Sequence, residues 1–169
     1  VNTKLLTTAV LKGLLNPILE TTVNYVIAPG LAKDRGIAVR EVKSKEAANF
    51  TNLITVKAET EKKTVVLQGA LFGSEGRVVS IDGYRVDVDP HKRILLCPHI
   101  NRPGIIGKVG SLMGDEGINI SGMQVGKTEQ EGTNIMVLTI DNEVPAAVIE
   151  QVAALDGIFG AKLIDFDLL

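Results

Sequence analysis

Beyond residue 93 the chain alternates apolar segments of two periods in a fixed order, and this order constrains the fold most. The segments are strand 94–100, helix 104–116, strand 118–126, strand 133–141, helix 145–155 and strand 158–167. Alternating and continuous apolar runs indicate strands, whereas apolar residues three or four apart indicate amphipathic helices. A strand-helix-strand unit that occurs twice predicts a four-stranded antiparallel sheet with both helices on one face, the ferredoxin-like βαββαβ arrangement.

The ends of the two predicted helices carry residues that favour starting and stopping there. Gly117 and Gly157 are placed to end them in the left-handed conformation, and Pro145 is placed to open the second. The apolar positions expected to be buried are Ile105, Val109, Leu112 and Met113 in the first helix and Val148, Ile149, Val152 and Leu155 in the second.

The helices leave one face of this sheet uncovered, and that face is apolar, for example over 135–138. Exposed apolar sheet surface and open strand edges favour association. We therefore expect a homodimer formed by pairing of strand edges.

Residues 23–89 are rich in strand patterns. Asp82-Gly83 between two alternating segments is a strong hairpin signal. The predicted elements are a helix over 4–19 interrupted near Asn16-Pro17, a short helix from Pro29 to Gly36, and strands 23–27, 37–43, 50–59, 64–72, 77–81 and 84–88.

A polar stretch at 89–93 marks a change of composition, and we place a domain boundary there. The predicted organisation is a connecting segment over 1–22, a strand-rich α/β domain over 23–92 and the βαββαβ domain over 93–169, in the α+β class. The chain begins at Val1, so we expect it to be a piece of a longer protein.

Composition excludes several classes of partner. The net charge is −2, aromatic residues make up 4% and there is no Trp, which argues against a nucleic-acid surface. There is no apolar run of 18 residues and no signal-peptide pattern, so no membrane association is expected. The single cysteine, Cys97, lies in an apolar run. We interpret it as a buried thiol in a reducing, cytoplasmic environment.

The sequence contains no recognisable catalytic or metal-binding motif. His91, His99 and Cys97 have no zinc-site spacing, and Asp82, Asp87 and Asp89 are more typical of a solvated surface. The serines lie in no nucleophile motif. Glycines also recur in the first helix of the βαββαβ domain, where we expect them to permit close packing on the sheet; they are Gly107, Gly110 and Gly114. We assign this chain no catalytic residue, no metal and no cofactor.

A small, charge-balanced ligand is the best candidate for binding. Gly104 and Ile105 begin a helix whose first N–H groups lack partners and favour a carboxylate. The neutral side chains of Asn101 and Asn119 offer carbonyl oxygens to an ammonium group, and we expect both to lie close to that helix start. The alternative is that Asn101 caps the helix and Asn119 serves a turn.

Two blocks of sequence resemble a known family. Segments 99–110 (His-Ile-Asn-Arg-Pro-Gly-Ile-Ile-Gly-Lys-Val-Gly) and 117–120 (Gly-Ile-Asn-Ile) resemble the C-terminal ACT domain of D-3-phosphoglycerate dehydrogenases. Segments 11–15, 23–26, 50–54 and 81–87 resemble the intervening, allosteric substrate-binding domain of the long form of these enzymes.

The resemblance implies a regulatory role in serine biosynthesis. ACT domains of this family pair edge to edge and bind L-serine as a feedback inhibitor, at positions that fall on His99, Asn101 and Asn119. Homo-oligomers form through both domains. The NAD cofactor and the catalytic residues of the parent dehydrogenase would lie outside this chain.

The intervening domain is further implied to bind a phosphorylated or anionic effector through basic residues. One such position falls on Arg77, and another falls on Asp89, which is acidic. Lys92, Arg93 and Arg85 are the other candidates for this second site.

Two other functions stay open at this point. The same two domain types occur in the β chain of bacterial iron–sulfur L-serine dehydratase, although cluster-type cysteines are absent and segment 82–85 fits the dehydrogenase better. The chain could also be a dimerisation module whose ligand pocket has lapsed.

Overall fold

The computed structural model describes residues 3–45, 49–128 and 132–166. The chain divides into two compact units, residues 1–47 and 48–168. The elements are α1 (Thr3–Leu15), α2 (Ala28–Asp34), β1 (Ile54–Glu59), β2 (Thr64–Phe72), β3 (Glu75–Ile81), β4 (Tyr84–Val88), β5 (Arg93–Ile100), α3 (Ile105–Asp115), β6 (Ile120–Lys127), β7 (Thr133–Ile140), α4 (Ala146–Ala154) and β8 (Lys162–Asp165).

The first unit consists of two helices and irregular segments. Helix α1 ends before Asn16-Pro17, as expected, and the small core of the unit contains Leu11, Leu15, Val23, Ala28 and Ala32. The strands predicted over 23–27 and 37–43 are wrong. Asn24 accepts hydrogen bonds from the N–H groups of Val26 and Ile27, and this local turn competes with extended backbone. Segment 37–43 is irregular and pairs with no strand among the described residues.

The second unit begins with a four-stranded antiparallel meander in the order β1-β2-β3-β4, which we call sheet A. Asp82 and Gly83, at φ 49° and 85°, form the tight turn of the predicted hairpin between β3 and β4. The Asp82 carboxylate accepts the N–H of Val66 at 2.7 Å, so the turn is also tied to β2.

Strands β5 to β8 form a second antiparallel sheet, which we call sheet B, in the order β6-β7-β5-β8. Helices α3 and α4 pack on one face of it around a core that includes Leu95, Cys97, Val109, Met136 and Val152. This confirms the α+β class and the ferredoxin-like arrangement. The boundaries placed at 22/23 and 92/93 stay a prediction, although residues 89–92 do join the two sheets.

The structure confirms the prediction for Gly117 and contradicts the prediction for three glycines within α3. Gly117 ends α3 at φ 70°, with the N–H of Ile118 bound to the carbonyl of Met113, as predicted. The packing prediction for Gly107, Gly110 and Gly114 is wrong, because a Cβ at any of them would meet nothing within 4 Å. These three glycines therefore do not set the distance between α3 and the sheet.

The face of sheet B opposite the helices is covered by sheet A, which corrects the expectation of an uncovered face. Ile94, Ile135 and Val137 of sheet B form an apolar cluster with Val86 and Val88 of β4. Met136 and Leu138 point to the helix side instead. The apolar pattern over 135–138 therefore reflects burial on both faces within one chain, and the outer strands β6 and β8 form the edges at which sheet B could associate.

Candidate functional site

His99 lies near the end of β5, immediately before the chain turns into α3. Its side chain is 2% exposed. The ring Nδ1 lies 2.8 Å from the carbonyl oxygen of Ile100, and the Nε2 is buried with no hydrogen-bond partner among the described residues. A buried polar atom without a hydrogen bond lowers the stability of the fold. Close packing alone therefore does not explain a histidine at this position.

The start of α3 is open to an anion. Gly104 is its N-cap residue, in the left-handed conformation at φ 90°, and no side-chain hydrogen bond from the described residues caps the helix. Asn101 is exposed and does not cap α3; its own N–H binds the carbonyl of Gly132 at 2.9 Å. Ile105 is 1% exposed, so it can offer a ligand its backbone N–H but not its side chain.

Asn119 lies just before β6 and is exposed. Its N–H donates to the Oδ1 of Asn142 at 3.1 Å, and its Nδ2 donates to the Oδ2 of Asp141 at 2.8 Å. The side-chain Oδ1 thus stays available as an acceptor. The Ser121 hydroxyl and the Asn119 amide hold the pKa of the Asp141 carboxyl below its ordinary value, so this end of the strand carries a negative charge at neutral pH.

The strand register separates Asn101 from Asn119. His99 and Lys127 both pair with Asn134, so Asn101 and the end of β6 share one end of the sheet. Arg93 and Ile120 both pair with Ile140, which places Asn119 at the other end, about nine residues or roughly 30 Å from Asn101 along the strands. The expectation that the two amides meet within one chain is wrong, because β5 and β6 run parallel on either side of β7.

The basic residues proposed for a second effector differ in whether a carboxylate already binds them. Arg77 binds Asp87 through Nε at 2.7 Å, and its pKa is raised chiefly by that hydrogen bond. Arg93 binds Asp165 at 2.6 Å in sheet B. Arg85 and Lys92 are exposed. Two of the four cations are therefore already paired with carboxylates.

Asp89, the acidic residue at an expected basic position, lies 4.0 Å from Arg77 and 2.9 Å from His91. The hydrogen bond from His91 is the main reason that its pKa is lowered. An anion at Arg77 would have to compete with this carboxylate and with Asp87.

Cys97 is fully buried, as predicted, and burial raises its pKa to about 12. Among the described residues no group of three or more histidine, cysteine or acidic side chains could hold a metal ion. Neither observation adds a reactive group to the region around His99 and the start of α3.

Sequence reasoning missed three polar residues of this region. Asp141 and Asn142 hold Asn119 in place, and Asn134 is buried opposite His99. The available signal for Asn134 was the single amide side chain in segment 133–141, directly before the apolar run 135–138. The role of Asp141 and Asn142 depends on the pairing of β6 with β7, and a prediction of that role would have required this pairing to be known.

Comparison with known proteins agrees with this architecture. Residues 1–82 match the family model of the D-3-phosphoglycerate dehydrogenase intervening domain, and residues 94–157 match that of the ACT domain. The chain joins a dehydrogenase intervening domain to an ACT domain. The resemblance found from the two motif blocks is confirmed.

Several curated relatives named D-3-phosphoglycerate dehydrogenase match almost the whole chain. The protein from Archaeoglobus fulgidus is 37% identical over 97% of this chain, and that from Methanocaldococcus jannaschii is 40% identical over 96%. The Bacillus subtilis protein is 35% identical over 96%. This chain spans only 32%, 31% and 31% of these relatives, respectively. Within the part of the chain that the structure describes, no helix is long and apolar enough to cross a membrane.

Proposed function

We propose that this chain is the regulatory region of a cytoplasmic, NAD-dependent D-3-phosphoglycerate dehydrogenase of serine biosynthesis. In this proposal the ACT domain binds L-serine between two copies of the chain, and binding inhibits the dehydrogenase. NAD and the catalytic residues belong to a part of the enzyme outside this chain. The matches to the intervening-domain and ACT-domain family models support a sensing role.

The opposite placement of Asn101 and Asn119 carries the proposal of a shared site. Strand β6 is an edge of sheet B, and within the described residues it pairs only with β7. If two copies pair their β6 edges antiparallel about a two-fold axis, the start of one β6 lies beside the end of the other. Asn119 of one copy then reaches the sheet end that carries His99, Asn101 and the start of α3 in its partner.

The chemistry at that seam suits an amino-acid zwitterion. The uncapped first turn of α3 offers N–H groups to a carboxylate. The free Oδ1 of Asn119, with the ionised Asp141 behind it, offers an acceptor and negative charge to an ammonium group. Arg77 and Arg93 already bind carboxylates, and this disfavours a second, anionic effector at these residues.

Mixing two single variants tests the shared site. Asn101→Ala and Asn119→Ala should each abolish L-serine binding in titration calorimetry, because each homodimer lacks one side of both pockets. A mixed dimer of the two variants has one pocket with both asparagines intact. Random co-refolding makes about half of the dimers mixed, so the mixture should recover one site in each mixed dimer, or about half a site per dimer on average, against two in the wild type.

The controls separate this proposal from its alternatives. Gln151→Ala removes an exposed amide on α4 and should leave binding unchanged. Failure of the mixture to recover any binding would mean that the site lies within one chain. A wild-type dimer that binds no amino acid would support the lapsed dimerisation module. Serine deamination with an iron–sulfur partner chain would instead favour the dehydratase subunit.

A further inference from the structure

A buried polar pair lies under the start of α3. His99 of β5 and Asn134 of β7 are direct cross-strand partners in sheet B, and they are 2% and 6% exposed. Directly opposed residues of antiparallel strands project from the same face. The preceding pairs on this face, Cys97 with Met136 and Leu95 with Leu138, belong to the apolar core beneath the helices.

One nitrogen of this pair is left without a hydrogen bond by the described residues. The Nε2 of His99 is buried with no hydrogen-bond partner among the described residues, and Asn134 places a side-chain amide beside it on the same face of the sheet. Burial without partners costs stability, and apolar side chains of similar size would avoid that cost. An unpaired buried nitrogen beside a buried amide, next to a core that is otherwise apolar, indicates a function that needs polarity at this place.

The position of the pair connects it to the proposed effector site. His99 is five residues before Gly104, and the connecting residues 101–104 are all exposed. The pair therefore lies at the sheet end where the α3 start and Asn101 are found. A ligand whose carboxylate binds the first turn of α3 would extend its side chain toward this end of sheet B, on the face that the helices cover.

We infer that Asn134 acts with His99 to recognise the side-chain hydroxyl of the effector. This inference rests on the proposed function. A neutral amide offers a donor and an acceptor, and a neutral imidazole adds one more nitrogen. A hydroxyl both donates and accepts one hydrogen bond, so it can satisfy both residues without bringing in a charge. An effector without the hydroxyl would leave them unpaired.

Discrimination between L-serine and L-alanine tests the inference, because the two ligands differ only in this hydroxyl. A site that hydrogen-bonds the hydroxyl of its ligand strongly disfavours the analogue without that hydroxyl. Wild-type dimer should bind L-serine at least about tenfold more tightly than L-alanine in titration calorimetry. Asn134→Leu should weaken L-serine binding by about tenfold or more, leave L-alanine binding nearly unchanged, and keep or raise the thermal midpoint of the ligand-free protein.

A second variant keeps the test decisive if Asn134→Leu fails to fold. Asn134→Thr retains one hydroxyl on a β-branched side chain that suits a strand, and it should lower the preference for L-serine only partly. Equal loss of both ligands in the folded variants would assign Asn134 a purely structural role and overturn the inference. So would full retention of the preference, as expected if a trapped water satisfies the pair.

Those two results leave the proposed function standing, since wild type still binds L-serine. If wild-type dimer binds neither amino acid, the proposed function fails and the inference fails with it. If it binds both equally, only the inference fails.

Discussion

At the scale of single residues, Gly126 shows how closely the two sheets of the second unit approach. A Cβ on Gly126 would lie 2.7 Å from the carbonyl oxygen of Arg85, 2.8 Å from Cγ1 of Val86 and 2.9 Å from Cγ2 of Ile135. The first of these atoms is backbone and cannot turn away. A glycine is therefore required where β6 passes under β4, although its own backbone conformation is ordinary.

Gly126→Ala should destabilise the protein by about 1–3 kcal/mol, as overpacked core substitutions do. The free energy of unfolding from urea titration measures the effect. Gly110→Ala is the matched control, because a Cβ there meets nothing within 4 Å and alanine favours a helix interior. The control should be neutral or stabilising. Equal stability of wild type and Gly126→Ala would show that the two sheets are free to separate.

At the scale of elements, side-chain hydrogen bonds hold the β3–β4 hairpin against sheet B, chiefly those of Gln124. The Gln124 amide of β6 accepts the N–H of Asp87 at 2.9 Å and donates to the carbonyl oxygen of the same residue at 2.5 Å. Tyr84 adds a hydrogen bond between its hydroxyl and that of Thr133, at 3.0 Å. A side chain that satisfies both backbone groups of Asp87 acts as a short extension of β4 toward β6.

Gln124→Ala should release this fastening without unfolding either sheet. We expect the Asp87 amide to exchange its hydrogen faster, with a loss of stability of about 1 kcal/mol because the bonds lie at the surface. Gln124→Glu can still accept from the Asp87 N–H but cannot donate, so its exchange rate should be intermediate. Exchange rates measured by NMR check both variants, and unchanged exchange in Gln124→Ala would contradict the fastening.

An element could be predicted from the sequence where the residues that determine it lie within the element itself. The hairpin at Asp82-Gly83 and the end of α3 at Gly117 are set by backbone conformations that few residues adopt, and both were predicted correctly. The alternation over 37–43 looked equally clear, but a strand needs a partner, and none pairs with it among the described residues. The His99–Asn134 pair likewise depends on register, which a single strand does not reveal.

At the scale of the whole molecule, the covered face of sheet B changes which surface can join two copies. Sheet A occupies the apolar face, so a dimer of the proposed kind must use a strand edge. Strand β8 covers four residues, whereas β6 offers eight. The longer edge is the better template for pairing with a second chain. Two copies paired there would extend sheet B across the two-fold axis and place a pocket at each end of the seam.

The centre of that seam gives the decisive test of the assembly. Antiparallel pairing centred on β6 places Met123, which is 39% exposed, beside its own copy. Met123→Asp would set two carboxylates against each other, and like charges directly opposite destabilise paired strands. We expect this variant to sediment as a monomer and to lose L-serine binding, although His99, Asn101, Asn119 and Asn134 are all intact. Met123→Leu preserves an apolar side chain of similar size and should stay dimeric and bind normally. A dimeric Met123→Asp that still binds L-serine would place the interface elsewhere, whereas a monomer that still binds it would show that each chain holds a complete site.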